Sequence, residues 1–287
     1  FAGGLWTWAG FAPHNAFAIA TMREAMLACR AKGVENVVMT MWGDNGAECS
    51  KFAVLPALFT VSQMAQEIDD VETIHANFER EFGILFEDFR ALDLIGTQND
   101  SAEAIYNPEK YLLYCDPFMG QFDNRVMPTD AAGYADCAAR LSRYESHAEY
   151  GYLFRSLRAL CAFLSVKADL GIRTRAAYLS GDKKAAKALC TDYDAALERL
   201  DAFYAAYEQQ WMHENKPQGF DVVDLRIGGQ RQRLLHCRDR LLAYAEGRLD
   251  RIEELEEPVL DCCCEEKADG QATRAIFWHE IASANVI

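Results

Sequence analysis

The sequence predicts a mainly α-helical protein that opens with two strand–helix units. Two short apolar runs, residues 1–8 and 37–42, are typical of strands, and each leads into a turn that contains glycine. Between and after these runs, apolar residues recur at the spacing of an amphipathic helix. We therefore expect a small β/α domain over residues 1–66 and a large α-helical domain over residues 67–287.

The two helices predicted in the small domain have recognisable ends. Gly33 lies where the first helix should stop, because glycine tolerates the left-handed backbone of a C-terminal cap. Pro56 suits the first turn of the second helix, where its missing N–H has no partner to lose. The buried faces of these helices are expected at Ile19, Met22, Met26 and Cys29 and at Leu55, Leu58 and Met64.

Three stripes of apolar side chains predict the helices of the large domain. Steps of three and four residues place such side chains on one helix face. Three stripes in succession imply helices that pack on one another, so most of these aromatic side chains are expected in a core. The stripes are Phe154, Leu157, Cys161, Leu164 and Ala168; Tyr193, Leu197, Leu200, Tyr204, Tyr207 and Trp211; and Leu235, Leu242, Ala245, Leu249 and Ile252.

Aromatic and acidic side chains follow the two predicted strands. Trp6 and Trp8 end the first strand, and Trp42 and Asp44 follow the second. Alternate residues of a strand point to the same face, so each pair is expected to share a face. The C–H groups of a pyranose ring pack on indole rings, while its hydroxyls need polar partners. The sequence therefore predicts a carbohydrate site at the carboxyl ends of these strands, where α/β enzymes build their sites.

The candidate residues differ in how specifically they indicate a site. A tryptophan beside a strand is more often part of a core, but Trp42 precedes a Gly-Asp-Asn-Gly run that does not suit a core. Glu48 could line the site or merely complement a helix dipole. Trp211 ends a helical stripe beside a polar turn and could pack or face a site. Arg226 precedes Gly228–Gly229, where we expect a new helix to begin, and could brace that helix, stay exposed or contact a ligand.

Composition argues against several classes of partner. A net charge of −15 disfavours binding to nucleic acid, which requires basic surfaces. No apolar run is as long as the ~20 residues of a membrane-spanning helix, so we expect no membrane contact. The ten cysteines lack the spacing of a disulfide framework, which favours a cytoplasmic protein. Three of them, Cys262–Cys264, are consecutive and poorly spaced for zinc, so we expect no metal and no cofactor.

Several motifs resemble those of one enzyme family. Residues 3–11 (GGLWTWAGF) and 41–48 (MWGDNGAE) resemble the seventh and eighth barrel strands of glycoside hydrolase family 20, in its bacterial exo-β-N-acetylglucosaminidase branch. Residues 214–217 (ENKP) and 221–229 (DVVDLRIGG) resemble the α-helical domain that follows the barrel in that branch. The resemblance implies that the small domain is the last two β/α units of a (β/α)8 TIM barrel.

The resemblance also implies a reaction. The family removes terminal β-linked N-acetylhexosamine by substrate-assisted hydrolysis, in which the acetamido oxygen of the substrate attacks the anomeric carbon. An Asp–Glu pair after the fourth barrel strand orients the acetamide and protonates the leaving oxygen. Two β/α units cannot close a barrel. We therefore expect this chain to be the C-terminal portion of such a glycosidase, to lack catalytic residues and to be inactive without the N-terminal part of the barrel.

The same resemblance gives roles to the candidate residues. Trp42 would stack under the sugar, and Asp44 would accept hydrogen bonds from the hydroxyls remote from the cleaved bond. Trp8, or else Trp6, would wall the pocket around the acetamido methyl group. These are positioning roles, which contribute strongly to catalysis in an intact enzyme.

A reading from another functional class stays open. The chain could be a non-catalytic helical module for protein interaction or dimerisation, with the two strands packed on its helices. Open strand edges invite pairing with another chain, so a homodimer is plausible on physical grounds.

Overall fold

The computed structural model describes residues 1–8, 10–97, 107–259, 261–263 and 272–274. These residues are mainly helical, which confirms the predicted fold class at that level. Within the described residues, no helix combines the length and the apolar character that crossing a membrane requires.

The α-helices and β-strands alternate only near the start of the chain. In chain order they are β1 Ala2–Gly4, α1 Asn15–Ala31, β2 Val38–Thr40, α2 Leu55–Ala65, α3 Val71–Phe82, α4 Phe86–Phe89, α5 Pro108–Tyr114, α6 Asp130–Leu141, α7 Gly151–Lys167, α8 Leu170–Leu179, α9 Lys183–Glu214, α10 Phe220–Ala245, β3 Asp261–Cys263 and β4 Ala272–Arg274. Short 3-10 helices occupy Lys51–Val54, Arg90–Thr97, Asp123–Arg125, Ser142–Tyr144 and Glu253–Leu255.

The chain divides into two compact units. The first comprises Phe1–Thr97 and Arg140–Leu157, and the second comprises Gln98–Ala139 and Arg158–Ile287. The domain boundary expected after residue 66 stays a prediction.

The first unit opens with the predicted order of strand, helix, strand, helix. β1 and β2 are parallel, with Gly3 opposite Met39, and α1 provides the crossover that a parallel pair needs. α1 ends at Ala31, and Gly33 adopts a φ of +65° just beyond it. Pro56 lies in the first turn of α2. Both predicted helix signals are therefore confirmed, while the assignment of these elements to a TIM barrel stays a prediction.

α1 and α2 pack around one apolar cluster. Met22, Met26 and Met64 are buried there, and Ile19 and Leu58 are partly buried against it. Burying such a side chain fully stabilises a fold by about 1.5–3 kcal/mol. The cluster comprises Leu5, Ala18, Met22, Met26, Val54, Ala57, Val61 and Met64.

A buried polar network holds the N-terminus of α1. Asp93 Oδ1 accepts hydrogen bonds from the backbone N–H and side-chain amide of Asn15, both at 2.9 Å, and Asp93 Oδ2 accepts one from Ala16 N–H at 2.9 Å. The Asn15 amide also donates to the carbonyl of Ala53 at 3.0 Å. Burial raises the pKa of Asp93, while the N–H donors oppose that rise. The carboxylate therefore satisfies donors that the first turn of a helix leaves without partners.

An aromatic cluster joins α2, α3 and α4 in the same unit. Phe78 is fully buried at its centre. Its ring centroid lies 5.5 Å from that of Phe59, 5.1 Å from that of Phe86 and 5.7 Å from that of Phe89, all in edge-to-face geometry. Such pairs contribute about 0.5–1.5 kcal/mol each beyond the area that they bury.

The second unit is built on long helices, and the residues buried along α9 and α10 can be compared with the predicted stripes. The stripe from Tyr193 to Trp211 lies on α9 and is buried except at the half-buried Tyr204. The stripe expected from Leu235 to Ile252 is wrong in phase, because Leu235 and Leu242 are only half-buried on α10. α10 also ends at Ala245, before the last two residues of that stripe. The residues that α10 actually buries beyond its midpoint are Leu234, Cys237, Leu241 and Tyr244.

The helix expected to begin after Gly229 is also wrong. α10 begins at Phe220 and runs through Gly228 and Gly229, so Arg226 lies inside a helix. Gly219 precedes the helix with a φ of +97°, and this glycine marks the true start. Two adjacent glycines lower helix propensity without ending a helix that packs along its length on α9.

Charged side chains are buried in the second unit. Lys167 donates hydrogen bonds to the carbonyls of Leu112, at 2.7 Å, and Cys115. Burial lowers the pKa of Lys167. Arg233 Nε donates to Asp116 Oδ2 at 2.6 Å, and although burial raises the pKa of Asp116, this partner holds it below its ordinary value. Each buried charge thus has specific partners, as burial requires.

Seven cysteines of the described residues are buried and form no disulfide bond. They are Cys29, Cys49, Cys115, Cys137, Cys161, Cys190 and Cys237. Cys262 and Cys263 lie on the backbone of β3, and Cys264 lies outside the described residues.

We expect Asp93→Ala to lower the free energy of unfolding by about 2–4 kcal/mol, because it leaves buried N–H groups at the start of α1 without an acceptor. Urea denaturation followed by circular dichroism measures the change. Asp69→Ala is the control, since Asp69 forms an exposed ion pair with Arg30 and its loss should matter far less. An Asp93→Ala protein as stable as the unaltered chain would contradict the proposed anchor.

We expect Gly228→Ala to raise the free energy of unfolding by about 0.5–1 kcal/mol, because alanine suits a helix interior better than glycine. A Cβ atom at Gly228 would have no neighbour within 4 Å. Gly181 is equally open but has a φ of +69°, so Gly181→Ala should instead destabilise the chain by about 1 kcal/mol. Thermal and urea denaturation distinguish the two. Equal effects of both substitutions would argue against the continuous α10.

Candidate functional site

A cleft of about 400 Å³ lies in the first unit where β1 and β2 end. Its lining brings together three of the predicted site residues, two of them aromatic and one acidic. The lining residues are Ala2, Gly3, Gly4, Trp8, Thr40, Trp42 and Asp44.

Backbone and side-chain hydrogen bonds fix the floor of the cleft. Leu5 N–H donates to the carbonyl of Thr40 at 2.9 Å, so the pairing of the strands continues to their carboxyl ends. The hydroxyl of Thr40 donates to the carbonyl of Gly3 at 2.9 Å, across the same pair of strands. These two hydrogen bonds, both made by Thr40, hold the strands together at the floor of the cleft.

Trp42 forms an exposed wall of the cleft. Its side chain is tethered at one atom, because Nε1 donates to the hydroxyl of Thr40 at 2.9 Å. The residue is nevertheless 59 % exposed. We expected strand alternation to place Trp42 and Asp44 on one face. This explanation is wrong, because β2 ends at Thr40, before both residues. Both side chains line the cleft from the turn that follows the strand.

That turn has an unusual backbone. Asn45, Gly46 and Ala47 have φ values of +55°, +126° and +52°, a region that L side chains seldom occupy. Ala47 N–H donates to the carbonyl of Gly43 at 3.1 Å and closes the turn. A Cβ atom on Gly43 would lie 2.7 Å from Cβ of Ala47, so only glycine fits there. The closed turn leaves Asp44 exposed at the rim.

Trp8 forms the opposite wall and Trp6 supports it. A Cβ atom on Gly4 would lie 3.2 Å from the Trp8 ring, so the indole packs directly over this glycine. The ring centroids of Trp6 and Trp8 are 4.6 Å apart. Trp6 also makes an edge contact with Phe17 at 5.3 Å. β1 ends at Gly4, before both tryptophans, so the expectation that strand alternation places them on one face is wrong. Their rings are in contact, and only Trp8 lines the cleft.

Two polar residues beneath the cleft were not predicted from the sequence. The hydroxyl of Thr7 donates to the carbonyl of Trp42 at 2.6 Å, and Lys51 Nζ donates to the same carbonyl at 2.7 Å. Burial lowers the pKa of Lys51, while the charges of Cys49 and Asp44 oppose that change. Thr7 lies between the two predicted tryptophans and could have been noticed for that reason, but no local pattern marks Lys51.

Residues 85–274 match the family described as Glycoside Hydrolase 20C C-terminal domain, and this is more than half of the chain. The chain belongs to that family. The resemblance to the C-terminal part of a family 20 glycoside hydrolase is thus confirmed. No curated protein matches the chain. The family match begins after the cleft residues, so the cleft lies in the segment that precedes the 20C domain.

The other candidate residues of this family 20C chain do not line the cleft. Glu48 is buried in the first unit, at 3 % exposure, and is absent from the lining. Trp211 and Arg226 belong to the second unit and to the matched domain. Trp211 packs against Phe220 with ring centroids 5.8 Å apart. Its Nε1 donates to the carbonyl of Lys216 at 2.9 Å, so the indole closes the turn between α9 and α10.

Arg226 is buried within α10, at 5 % exposure. This location favours a structural role for Arg226 among the alternatives left open by the sequence, and a contact with substrate stays a prediction. Among the described residues of the family 20C chain, no group of three or more His, Cys, Asp or Glu side chains is arranged to hold a metal ion.

We expect Gly43→Ala to displace the turn and to lower the free energy of unfolding by about 1–3 kcal/mol, because its Cβ would overlap that of Ala47. The indole N–H signal of Trp42 in a ¹H–¹⁵N spectrum reports the displacement. The double variant Gly43→Ala with Ala47→Gly removes the overlapping methyl group and should recover much of the native signal. An unchanged Trp42 signal in the single variant would contradict the close packing of the turn.

Proposed function

We propose that this chain is the C-terminal portion of a family 20 glycosidase and that its cleft supplies part of the sugar subsite. The parent enzyme would remove terminal β-linked N-acetylhexosamine by substrate-assisted hydrolysis. One observation carries the proposal: Trp8, Trp42 and Asp44 line one cleft in the segment that precedes a glycoside hydrolase 20C domain.

The chemistry of the cleft suits a sugar. Two indoles offer apolar faces to the C–H groups of a pyranose ring, and a carboxylate at the rim accepts hydrogen bonds from hydroxyls. The cleft volume of about 400 Å³ falls in the range of small-ligand sites. An apolar ligand would gain nothing from an exposed carboxylate, so carbohydrate is the class that uses all three side chains.

Each side chain receives a role in this proposal. Trp42 stacks under the ring, because its indole is tethered at Nε1 and exposed elsewhere. Asp44 binds the hydroxyls remote from the scissile bond. Trp8, supported by Trp6, walls the acetamido methyl group. All three act by binding and orienting the substrate, which lowers the entropic part of the barrier.

The proposal assigns the reaction chemistry to another part of the barrel. The Asp–Glu pair that the family places after the fourth strand would orient the acetamide and donate the proton to the leaving oxygen. β1 and β2 would then be the seventh and eighth strands, and their outer edges would pair with strands supplied by the N-terminal part of the barrel. Among the described residues β1 and β2 pair only with each other, which leaves those outer edges for such partners.

Those outer edges also favour a second candidate function. They present backbone groups that can pair with a strand of another chain. A non-catalytic module that pairs with a second copy of the chain would use these edges and would have no need of the cleft. Sugar binding discriminates between the two functions.

We also propose a cytoplasmic location. Seven buried cysteines of the described residues form no disulfide bond, an arrangement that suits a reducing compartment.

We expect the 287-residue chain to bind N-acetylglucosamine with a dissociation constant of about 1 mM, since only part of the subsite is present. It should not hydrolyse a chromogenic β-N-acetylglucosaminide. Shifts of the tryptophan indole signals measure binding, and Trp42→Ala and Asp44→Ala should both weaken it. Leu179→Ala is the control, because Leu179 is an exposed apolar residue of the second unit.

Two results would count against this function. Equal binding by the unaltered chain and by Trp42→Ala would show that the cleft is not the subsite. Turnover that Trp42→Ala abolishes would show that an acid of this chain performs the proton transfer, and the assignment of the Asp–Glu pair to another part of the barrel would be wrong.

A further inference from the structure

Lys51, beneath the cleft, is hydrogen-bonded to Trp42, the residue that forms the exposed wall. Lys51 begins the 3-10 helix Lys51–Val54. Its Nζ donates hydrogen bonds to the carbonyl of Trp42 at 2.7 Å and to the hydroxyl of Thr7 at 3.1 Å. Thr7 in turn donates to the carbonyl of Trp42 at 2.6 Å. The three groups form a closed triangle in which every donor and acceptor is used consistently.

The residues of this triangle differ in their exposure to water, and Thr7 is the most buried of them. Thr7 is 1 % exposed, and Lys51 is partly buried. A hydrogen bond from a charged donor is stronger than one between neutral groups. The bond from Lys51 to Trp42 is therefore suited to hold the main chain at the point where β2 gives way to the turn.

Packing alone does not determine the direction of the Trp42 indole. The residue is largely exposed, so few side chains constrain it. Its position depends on two tethers, one at Nε1 through Thr40 and one at the carbonyl through Lys51 and Thr7. Loss of the second tether would free the main chain of Trp42 while leaving the strands paired.

We propose that Lys51 is a positioning residue for sugar binding, which holds the Trp42 platform at the angle that a pyranose ring needs. This inference rests on the proposed function of the cleft. Lys51 does not line the cleft and acts only through Trp42. Displacement of a binding group by about 1 Å is enough to weaken a site strongly.

Two substitutions separate the hydrogen bond from the bulk of the side chain. Lys51→Met keeps the length of the side chain and removes its donor, whereas Lys51→Arg keeps a charged donor. Lys32, the exposed C-terminal cap residue of α1, provides the matched control Lys32→Met. The five tryptophans of the chain give five indole signals, and the signal absent from Trp42→Phe identifies Trp42.

We expect Lys51→Met to shift the Trp42 indole signal without sugar and to weaken N-acetylglucosamine binding about tenfold. Lys51→Arg should retain most of the native affinity, and Lys32→Met should retain all of it. If Lys51→Met does not fold, Thr7→Val removes the other arm of the triangle and should shift the same signal.

The outcomes distinguish this inference from the proposed function. Native affinity and an unshifted Trp42 signal in Lys51→Met would overturn the role of Lys51 and leave the sugar site intact. Failure of the unaltered chain to bind N-acetylglucosamine would overturn the proposed function, and with it any role of Lys51 in sugar binding.

Discussion

The first unit depends on a single buried carboxylate. Asp93 accepts three hydrogen bonds from Asn15 and Ala16, and Asn15 extends the network to the carbonyl of Ala53. A buried N–H group without an acceptor costs about 1–3 kcal/mol, so α1 has one favourable starting point and one orientation. Three separate parts of the chain meet at this network. The position of α1 relative to the strands follows from it.

The shape of the cleft depends on the position of α1 relative to the strands. Met22 of α1 approaches β1 so closely that a Cβ atom on Gly3 would lie 2.5 Å from its sulfur. The carbonyl of Gly3 on β1 accepts a hydrogen bond from the hydroxyl of Thr40. The same hydroxyl accepts a hydrogen bond from Nε1 of Trp42. Packing therefore sets the strands, whereas hydrogen bonds set the cleft wall. Few contacts restrain an exposed aromatic ring, so its tethers decide whether it can serve as a platform.

Sequence reasoning succeeded where local patterns carry the information. The stripe of α9 is buried because its spacing continues through a long uninterrupted helix. The start of α10 was wrong because Gly228 and Gly229 suggest a break, which packing against α9 overrides. The cleft residues were found because they follow the two apolar runs, although β1 ends at Gly4 and β2 at Thr40, so strand alternation does not orient them. Asp93 was missed because its partner Asn15 lies 78 residues away. Lys51 was missed because its partners, the carbonyl of Trp42 and the hydroxyl of Thr7, belong to no local pattern.

The buried carboxylate also explains how the family 20C domain relates to the preceding segment. Asp93 lies within the matched residues 85–274, whereas the helix that it caps precedes them. The matched domain thus contributes an acceptor that α1 requires, and Phe1–Thr97 lies in one compact unit. Asp93 anchors α1 by hydrogen bonds, and Met22 of α1 packs on β1. The paired strands in turn hold Trp42 at the cleft through Thr40. A residue of the matched domain can in this way support the cleft without lining it.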